Sequence, residues 1–226
     1  MGYTEEVRRE GGVIYRIANE EHGEAVTRLL SASFLHEPMG RALGATVEDW
    51  ARFVSYFNHE CMTNGLSVIA VPEQEPGSLA GALISRDFKK PFPPGFPDEL
   101  PRFAPSIDAL VSLDSQYEAL RPGLKRGEAM DLWMMGVEPG SRFARHGIAS
   151  ALFQASVDVA RHNGFQRCVA ECTGHFSQRC AIKAGFCEIA RVVYKDYRFQ
   201  GRPVFAAIPE PHTTFAILER VLDPAA

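Results

Sequence analysis

The chain has 226 residues, which is enough for one large domain or two small ones. Hydrophobic residues make up 46% of it, so it can bury a substantial core. With 23% charged residues and a net charge of -4, it has no broad basic surface of the kind that binds nucleic acid. It carries no apolar run long enough for a membrane span, and its charged first residues predict that it has no signal peptide. Its five cysteines form no Cys-x-x-Cys pair, so we expect reduced thiols in a cytoplasmic protein and no metal site.

The first part of the chain carries the apolar patterns of three strands and two helices. Asn19 can cap the first helix. Thr46 begins a capping box before the second helix, whose apolar residues recur at i, i+3, i+4 and i+7. The predicted strands cover residues 12–18, 66–71 and 79–87.

A proline-rich segment, residues 89–105, follows the third strand. It holds six of the fifteen prolines, a density that excludes a helix or a central strand. Its three aromatic residues are Phe92, Phe96 and Phe103. A structured loop over a cleft explains prolines and aromatics together, and a plain domain linker is the alternative. We expect one domain, residues 1–226, with this insert and a helix at 106–120 occupying about residues 88–125.

The second part of the chain begins with a buried strand at residues 131–137, in which Gly136 predicts a close backbone approach. An amphipathic helix starts at Ile148, and Gly164 is its predicted stop. Strands at 165–170, 186–197 and 213–222 and a helix at 176–184 complete the chain. The order βααββ, insert, βαβαββ predicts a mixed sheet with helices on both faces.

The loop before Ile148 is basic and contains glycine. The first turn of a helix has unpaired N–H groups and the positive end of the helix dipole, so it attracts anions. Gly147 and Ala149 leave room for a phosphate, and Arg142, Arg145 and His146 can add positive charge. The pattern predicts a phosphate site, with a basic helix start bearing solvated arginines as the alternative.

Four segments in chain order carry a family resemblance: "FLHEPMGRALG", "GVEPGSRFARHGIASAL", "CTGHFSQRCAIKAGF" and "KDYRFQGRPVF". With these segments the chain resembles the GNAT superfamily of acetyl-CoA-dependent N-acetyltransferases, and within it the arylalkylamine branch of the insect dopamine type. The resemblance covers most of the chain and is weakest through the proline-rich insert. It implies the GNAT fold, which is an α/β fold with a mixed, mostly antiparallel sheet of about seven strands and helices on both faces.

The resemblance implies acetyl-CoA as the co-substrate. In the family signature Arg/Gln-x-x-Gly-x-Gly/Ala, which binds the pyrophosphate of coenzyme A, residues 147–149 match the second half. Ala144 stands at the Arg/Gln position, so Arg142 or Arg145 would supply the charge. Backbone N–H groups of residues 135–137 would hold the thioester where GNAT sheets splay. The implied cofactor-binding residues are Met135, Gly136, Val137, Arg142, Ala144, Arg145, His146, Gly147, Ile148 and Ala149.

Acetyl transfer to an amine needs a positioned thioester, a base and a donor to the tetrahedral oxyanion. The resemblance implies Glu37 as the base, because partial burial at a helix end can raise its pKa, and an exposed carboxylate is the alternative. Thr173 and Ser177 align with two serines that the family associates with proton relay, and helix capping is the alternative for both. Ala181 stands where many GNAT enzymes have a proton-donating tyrosine, and this fits the arylalkylamine branch.

The implied function is transfer of acetyl to a primary amine, with an arylalkylamine as the candidate acceptor, by direct attack in a ternary complex. Phe34, the proline-rich insert and the C-terminal segment would build an aromatic acceptor pocket. Polyamines and other small amines stay open, because acceptor pockets diverge within a fold. A catalytically silent acyl-CoA-binding sensor also stays open, since Ala144 and Thr173 depart from the family pattern. The expected partner is a small-molecule amine, with neither nucleic acid nor membrane, for a monomer or a homodimer.

Overall fold

The computed structural model describes residues 5–140 and 147–223. Its strands are β1 (Glu6–Glu10), β2 (Val13–Ile17), β3 (Val68–Pro72), β4 (Gly81–Asp87), β5 (Ala129–Val137), β6 (Arg167–Cys172), β7 (Cys187–Val193) and β8 (Thr214–Val221). The α-helices of the described residues are α1 (Gly23–Ser33), α2 (Pro38–Ala42), α3 (Val47–Thr63), α4 (Ala104–Leu120), α5 (Ile148–His162) and α6 (His175–Lys183). Among these described helices, none is both long and apolar enough to cross a membrane.

The strands form one sheet in the order β1-β2-β3-β4-β5-β6-β8-β7. Only the β5–β6 pair of this sheet is parallel, and the other neighbours are antiparallel. Helices α5 and α6 pack on one face, and α1, α3 and α4 pack on the other. The mixed, mostly antiparallel sheet with helices on both faces is therefore confirmed.

The sheet has eight strands where the sequence predicts about seven. The additional strand is β1, an edge strand that pairs with β2 alone. Its sequence, Glu-Val-Arg-Arg-Glu, has no alternating apolar pattern because its side chains face mostly solvent. Arg9 lies 2.7 Å from both Glu6 and Glu73, so ion pairs stabilise this edge in place of apolar burial.

Local sequence signals account for most element boundaries. The capping box at Thr46 is present, since Asp49 N–H donates to the Thr46 hydroxyl at 3.2 Å and Thr46 N–H donates to the Asp49 carboxylate at 2.9 Å. Asn19 is at the N-cap position of a short 3-10 turn, Glu20–His22, and its backbone N–H donates to His22 Nδ1 at 3.1 Å before α1 begins at Gly23. Strand β7 is shorter than predicted, because the chain turns after Val193.

The proline-rich insert packs onto the core. Phe96 and Phe103 are buried in the cluster that α1 and α3 build on the sheet. Helix α4 follows directly, and its buried residues include Ile107 and Tyr117. The segment is therefore a structured loop, as predicted, and not a solvated linker.

Candidate active site

The two parallel strands β5 and β6 diverge after a short paired stretch. Residues 129–131 pair with residues 167–169, and the β5–β6 ladder ends there. Beyond that point β5 stays paired with β4, and β6 stays paired with β8. A cavity of about 330 Å³ occupies the opening, with residues 132–135 on one side and residues 170–174 on the other. The splay predicted near residues 135–137 is thus present.

A β-bulge in β5 marks the point of divergence. Between the pairs Ile84–Met134 and Arg86–Asp131, β4 advances two residues and β5 advances three. As a result, Trp133 and Met134 are consecutive and yet both pack with the α1 and α3 cluster. Bulges bend a strand and redirect its side chains, which is why they occur next to active sites. An uninterrupted apolar run such as Leu-Trp-Met-Met gives no sequence signal for this irregularity.

Two backbone N–H groups of β5 face the opening. Glu138 N–H donates to the Ala80 carbonyl, at the β4 side, at 2.9 Å. Because successive residues of a strand direct their N–H groups to opposite edges, those of Met135 and Val137 point to the edge that β6 has left. They are therefore available to hold a carbonyl group in the cavity.

Gly136 has a different role from its two neighbours. A Cβ at this position would lie 2.9 Å from the Cβ of Ser33 and 3.0 Å from a methyl carbon of Leu30. The close backbone approach that the sequence predicts at Gly136 is therefore that of α1 packing on the sheet. By the same alternation its N–H points toward β4, so Met135 and Val137 are the better candidates for contact with a thioester.

The N-cap residue of helix α5 is Gly147, which lies in the left-handed region at φ +78°. Ile148 is buried, and its Cγ2 atom lies 3.1 Å from the position that a Cβ at Gly81 would occupy. This close packing places the start of the helix against β4. Ala151 N–H donates to the Gly147 carbonyl and closes the first turn. The N–H groups of residues 148–150 precede that bond and have no partner within the helix. The remaining predicted phosphate-site residues, which are Arg142, Ala144, Arg145 and His146, lie outside the described residues.

Glu37 is partly buried and lines the cavity. It caps α2, since its carboxylate accepts the N–H of Met39 at 2.9 Å and the N–H of Gly40. Burial raises the pKa of Glu37 above its usual range, although hydrogen bonds from Gly40, Met39 and Thr173 act in the opposite direction. The predicted base thus has the elevated pKa that general-base catalysis near neutral pH favours.

Thr173 and Ser177 also line the cavity, so the structure brings all three predicted catalytic residues together. The side chain of Thr173 hydrogen-bonds to Glu37. The Ser177 hydroxyl donates to the Gly174 carbonyl at 2.9 Å, which is the capping interaction named above as the alternative. Of the two hydroxyl residues, Thr173 is therefore the one linked to the candidate base.

His212 is a titratable cavity residue to which the sequence analysis gives no role. Its Nδ1 accepts the N–H of His175 at the start of α6, at 3.2 Å. Burial lowers the pKa of His212, and the neighbouring charges of His175 and Arg41 lower it further. Because Nδ1 accepts a hydrogen bond, it carries no proton in the neutral ring, and the ring proton is on Nε2. The only sequence signal is the Pro-His pair near the C-terminus, which says nothing about contact with α6.

Aromatic side chains form one wall of the cavity. This wall consists of Phe34, Trp50, Phe53 and Phe103. The ring centroids of Phe34 and Phe103 lie 4.8 and 4.6 Å from that of Trp50. Of the three phenylalanines in the insert only Phe103 reaches the cavity, because Phe96 packs behind Phe53 and Phe92 faces a second cavity. Phe215, from the C-terminal segment, also lines the cavity, as predicted.

The splayed sheet with α5 following β5 is the GNAT fold. Compared with models of known protein families, the sequence matches none. Among solved structures, the C-terminal condensation domain of Ebony in complex with beta-alanyl-dopamine matches with a TM-score of 0.81 and 15% identity, over 93% of this chain and 99% of that chain. Arylalkylamine N-acetyltransferase 2 from Aedes aegypti matches with a TM-score of 0.75 and 18% identity, over 94% of this chain and 100% of that chain.

A third similar structure is the polyamine N-acetyltransferase of Drosophila melanogaster, described as catalysing the formation of N-acetylagmatine. It has a TM-score of 0.68 and 20% identity, over 93% of this chain and 100% of that chain. All three matches extend over nearly the whole length of both chains. At these identities the likeness establishes the fold, and the chemistry has to be argued from the cavity itself.

Proposed function

We propose that the protein is an acetyl-CoA-dependent N-acetyltransferase that acetylates a primary amine by direct attack in a ternary complex. The observation that carries the proposal is the single cavity at the strand splay, into which both a carboxylate of raised pKa and an aromatic wall project. The similar structures support it, since the descriptions of two of them name N-acetyltransferases of arylalkylamines and of polyamines.

Acetyl-CoA fits the groups around the splay. The first turn of α5 offers N–H groups to the pyrophosphate, and a Cβ at Gly147 would meet no atom of the described residues within 4 Å, which leaves the backbone there open to an anion on their side. By sequence, Arg142, Arg145 and His146 would add positive charge at this position. The N–H groups of Met135 and Val137 would polarise the acetyl carbonyl and stabilise its oxyanion.

Glu37 would then receive the proton of the acceptor. A primary amine is mostly protonated at neutral pH, and only its neutral form attacks a carbonyl carbon. The ammonium nitrogen first loses one proton to the Glu37 carboxylate, directly or through a water molecule, and Thr173 interacts with the same carboxylate. The neutral nitrogen then forms a bond to the acetyl carbon, and the carbon–sulfur bond breaks. The second proton of the nitrogen neutralises the leaving coenzyme A thiolate, directly or through water, and Glu37 returns its proton to solvent.

The acceptor's apolar body would lie against the aromatic wall. The cavity volume, about 330 Å³, is within the range of small-molecule sites. Trp50 and Phe103 present ring surface to it, and this favours an arylalkylamine or another amine with an apolar stem. We propose a single domain that acts on small amines in solution.

Release of the coenzyme A thiol tests the proposal. Acetyl-CoA is incubated with a panel of primary amines that includes 2-phenylethylamine, and free thiol and acetylated amine are measured together. We expect thiol release that depends on the amine and equals the amount of acetylated product. Calorimetric binding of acetyl-CoA without turnover of any amine would instead indicate an acyl-CoA-binding sensor.

A further inference from the structure

A second cavity of about 220 Å³ lies behind the acceptor cavity. Trp133 and Glu171 line both cavities, so the two cavities adjoin at these side chains. Both cavities also run along α4, with Leu110 facing the first and Asp114 facing the second. At 1.5 Å of rise per residue, these two positions are about 6 Å apart along the helix axis. A short aliphatic chain can bridge that distance.

Four carboxyl groups line the second cavity, and one of them, Glu118, pairs with Lys89. The other three are Asp114 from α4, Asp131 from β5 and Glu171 from β6. Glu171 acts on the pKa of both aspartates, and both aspartates act on the pKa of Glu171. Burial raises the pKa of Asp114 to about 7 and that of Asp131 to about 6, and it raises that of Glu171 well above its usual range.

Each of these carboxyl groups has one oxygen without a hydrogen-bond partner: Asp114 Oδ1, Asp131 Oδ1 and Glu171 Oε2. Asp131 is only 3% exposed, so water does not reach its unpartnered oxygen from outside. Leaving such a group unpaired costs about 1–3 kcal/mol, and more when it is charged. The cavity is therefore built to receive hydrogen-bond donors, and an ammonium group offers three of them.

The basic residues around the cavity are engaged elsewhere. Arg86 donates to two backbone carbonyls at 2.7 and 2.8 Å and lies 3.4 Å from Glu60. Lys89 pairs with Glu118 at 2.6 Å, and Lys90 lies 3.4 Å from Glu60. In the described part of the chain, no ion pair within 4 Å joins Asp114, Asp131 or Glu171 to a basic side chain. The positive charge of Arg86 lowers the pKa of both aspartates from a longer distance.

We propose that Asp114, Asp131 and Glu171 bind a second cationic group of the acceptor, so that short aliphatic diamines are the preferred substrates. One amino group would be acetylated in the first cavity, and the other would lie among the three carboxyl groups. In the described residues, no group of three or more His, Cys, Asp or Glu is arranged to hold a metal ion. The inference rests on the proposed acetyl transfer and names its substrate class.

A matched pair of amines tests the inference, because 1,4-diaminobutane differs from n-butylamine by one ammonium group. We expect kcat/KM for the diamine to exceed that for the monoamine by about tenfold or more, the scale of a hydrogen-bonded charge. Asp131→Asn and Asp114→Asn should each reduce this ratio by about tenfold. Asp158→Asn, a matched change at an exposed carboxylate on α5, should leave the ratio unchanged.

Calorimetry provides a readout that does not depend on turnover. Diamine binding should release protons, seen as a binding enthalpy that varies with the ionisation enthalpy of the buffer, and Asp131→Asn should reduce that release. Equal kcat/KM for both amines, or an unchanged ratio in both variants, would overturn the subsite and leave the proposed acetyl transfer standing. If neither amine is acetylated, proton-linked diamine binding would support the subsite while refuting the proposed reaction, and absence of binding would overturn the subsite as well.

Discussion

Glu37 combines a structural and a chemical task in one carboxylate. It accepts two backbone N–H groups at the start of α2, which favours its ionised form, and it lies in a cavity that disfavours that form. Burial prevails, so its pKa is raised. A raised pKa on a group that is also fixed by two hydrogen bonds is suited to a positioned base.

Replacement of this carboxylate by an amide tests its role. Glu37→Gln should lower kcat/KM for the amine by about a hundredfold or more, because an amide cannot accept the proton. In the wild type, kcat/KM should rise as the pH rises through the raised pKa of Glu37, since only the ionised form is a base. This limb of the pH profile should disappear in Glu37→Gln, while calorimetric affinity for acetyl-CoA stays near the wild-type value.

The control separates loss of a helix cap from loss of a base. Asp49→Asn makes the same change at the cap of α3, where Asp49 accepts the Thr46 N–H at 2.9 Å and faces no cavity. It should leave the rate and the pH profile unaltered. An unchanged low-pH limb in Glu37→Gln would mean that another group, with His212 as the next candidate in the cavity, takes the proton.

Helix α5 shows how one element can carry a ligand site through its backbone. Gly147 adopts φ +78°, a conformation that asparagine and aspartate tolerate better than other residues with side chains. A Cβ there would meet no atom of residues 5–140 or 147–223 within 4 Å, so a side chain at position 147 would project into the space in which we propose the pyrophosphate binds. The substitutions Gly147→Asn and Gly147→Asp therefore differ mainly in charge.

Gly147→Asp should weaken acetyl-CoA binding at least tenfold more than Gly147→Asn, because it sets a negative charge against the pyrophosphate. Isothermal calorimetry gives the two dissociation constants, and thermal unfolding checks that both variants are equally stable. Equal affinities in the two variants would show that the pyrophosphate does not approach this helix end.

At the scale of elements, the sequence predicts helices and their caps well, because each depends on residues close together in the chain. Thr46 and Asp49 cap α3 as expected. The sequence does not distinguish a residue that faces the core from one that faces the cavity. Trp50 and Phe53 have the same helical periodicity as Phe57, yet the first two line the cavity and the third does not. Periodicity reports only that a side chain points inward.

At the scale of the whole molecule, the unpredicted features depend on residues far apart in sequence. The bulge at Trp133 follows from pairing with β4, and the second cavity requires Asp114, Asp131 and Glu171 to meet from three elements. Strand β8 lies between β6 and β7, and no local pattern encodes that position. The resemblance to GNAT enzymes gives the fold class, whereas these long-range placements become visible only in the structure.

Glu219 ties the inserted strand β8 to its surroundings. It is 4% exposed and accepts hydrogen bonds from Tyr117 at 2.7 Å, from Arg167 at 2.9 Å and from Arg121 at 2.5 Å. Burial alone would raise its pKa, but the hydrogen bonds from Arg121, Tyr117 and Arg167 outweigh burial and lower the pKa to about 2. Helix α4, strand β6 and strand β8 thus share one carboxylate.

Glu219→Gln should reduce the free energy of unfolding at neutral pH by about 2–3 kcal/mol, because two arginines lose their common partner. Glu188→Gln, a matched change at a carboxylate on β7 that pairs with the exposed Arg191, should cost less than about 1 kcal/mol. A lowered pKa stabilises the fold fully above the usual glutamate value near 4.5, and that contribution is lost as the pH falls toward 2. In urea titrations, the difference between wild type and Glu219→Gln should therefore be constant above pH 5 and shrink steadily below it. A difference of the same size at pH 7 and pH 3 would show that the carboxylate charge does not hold these elements together.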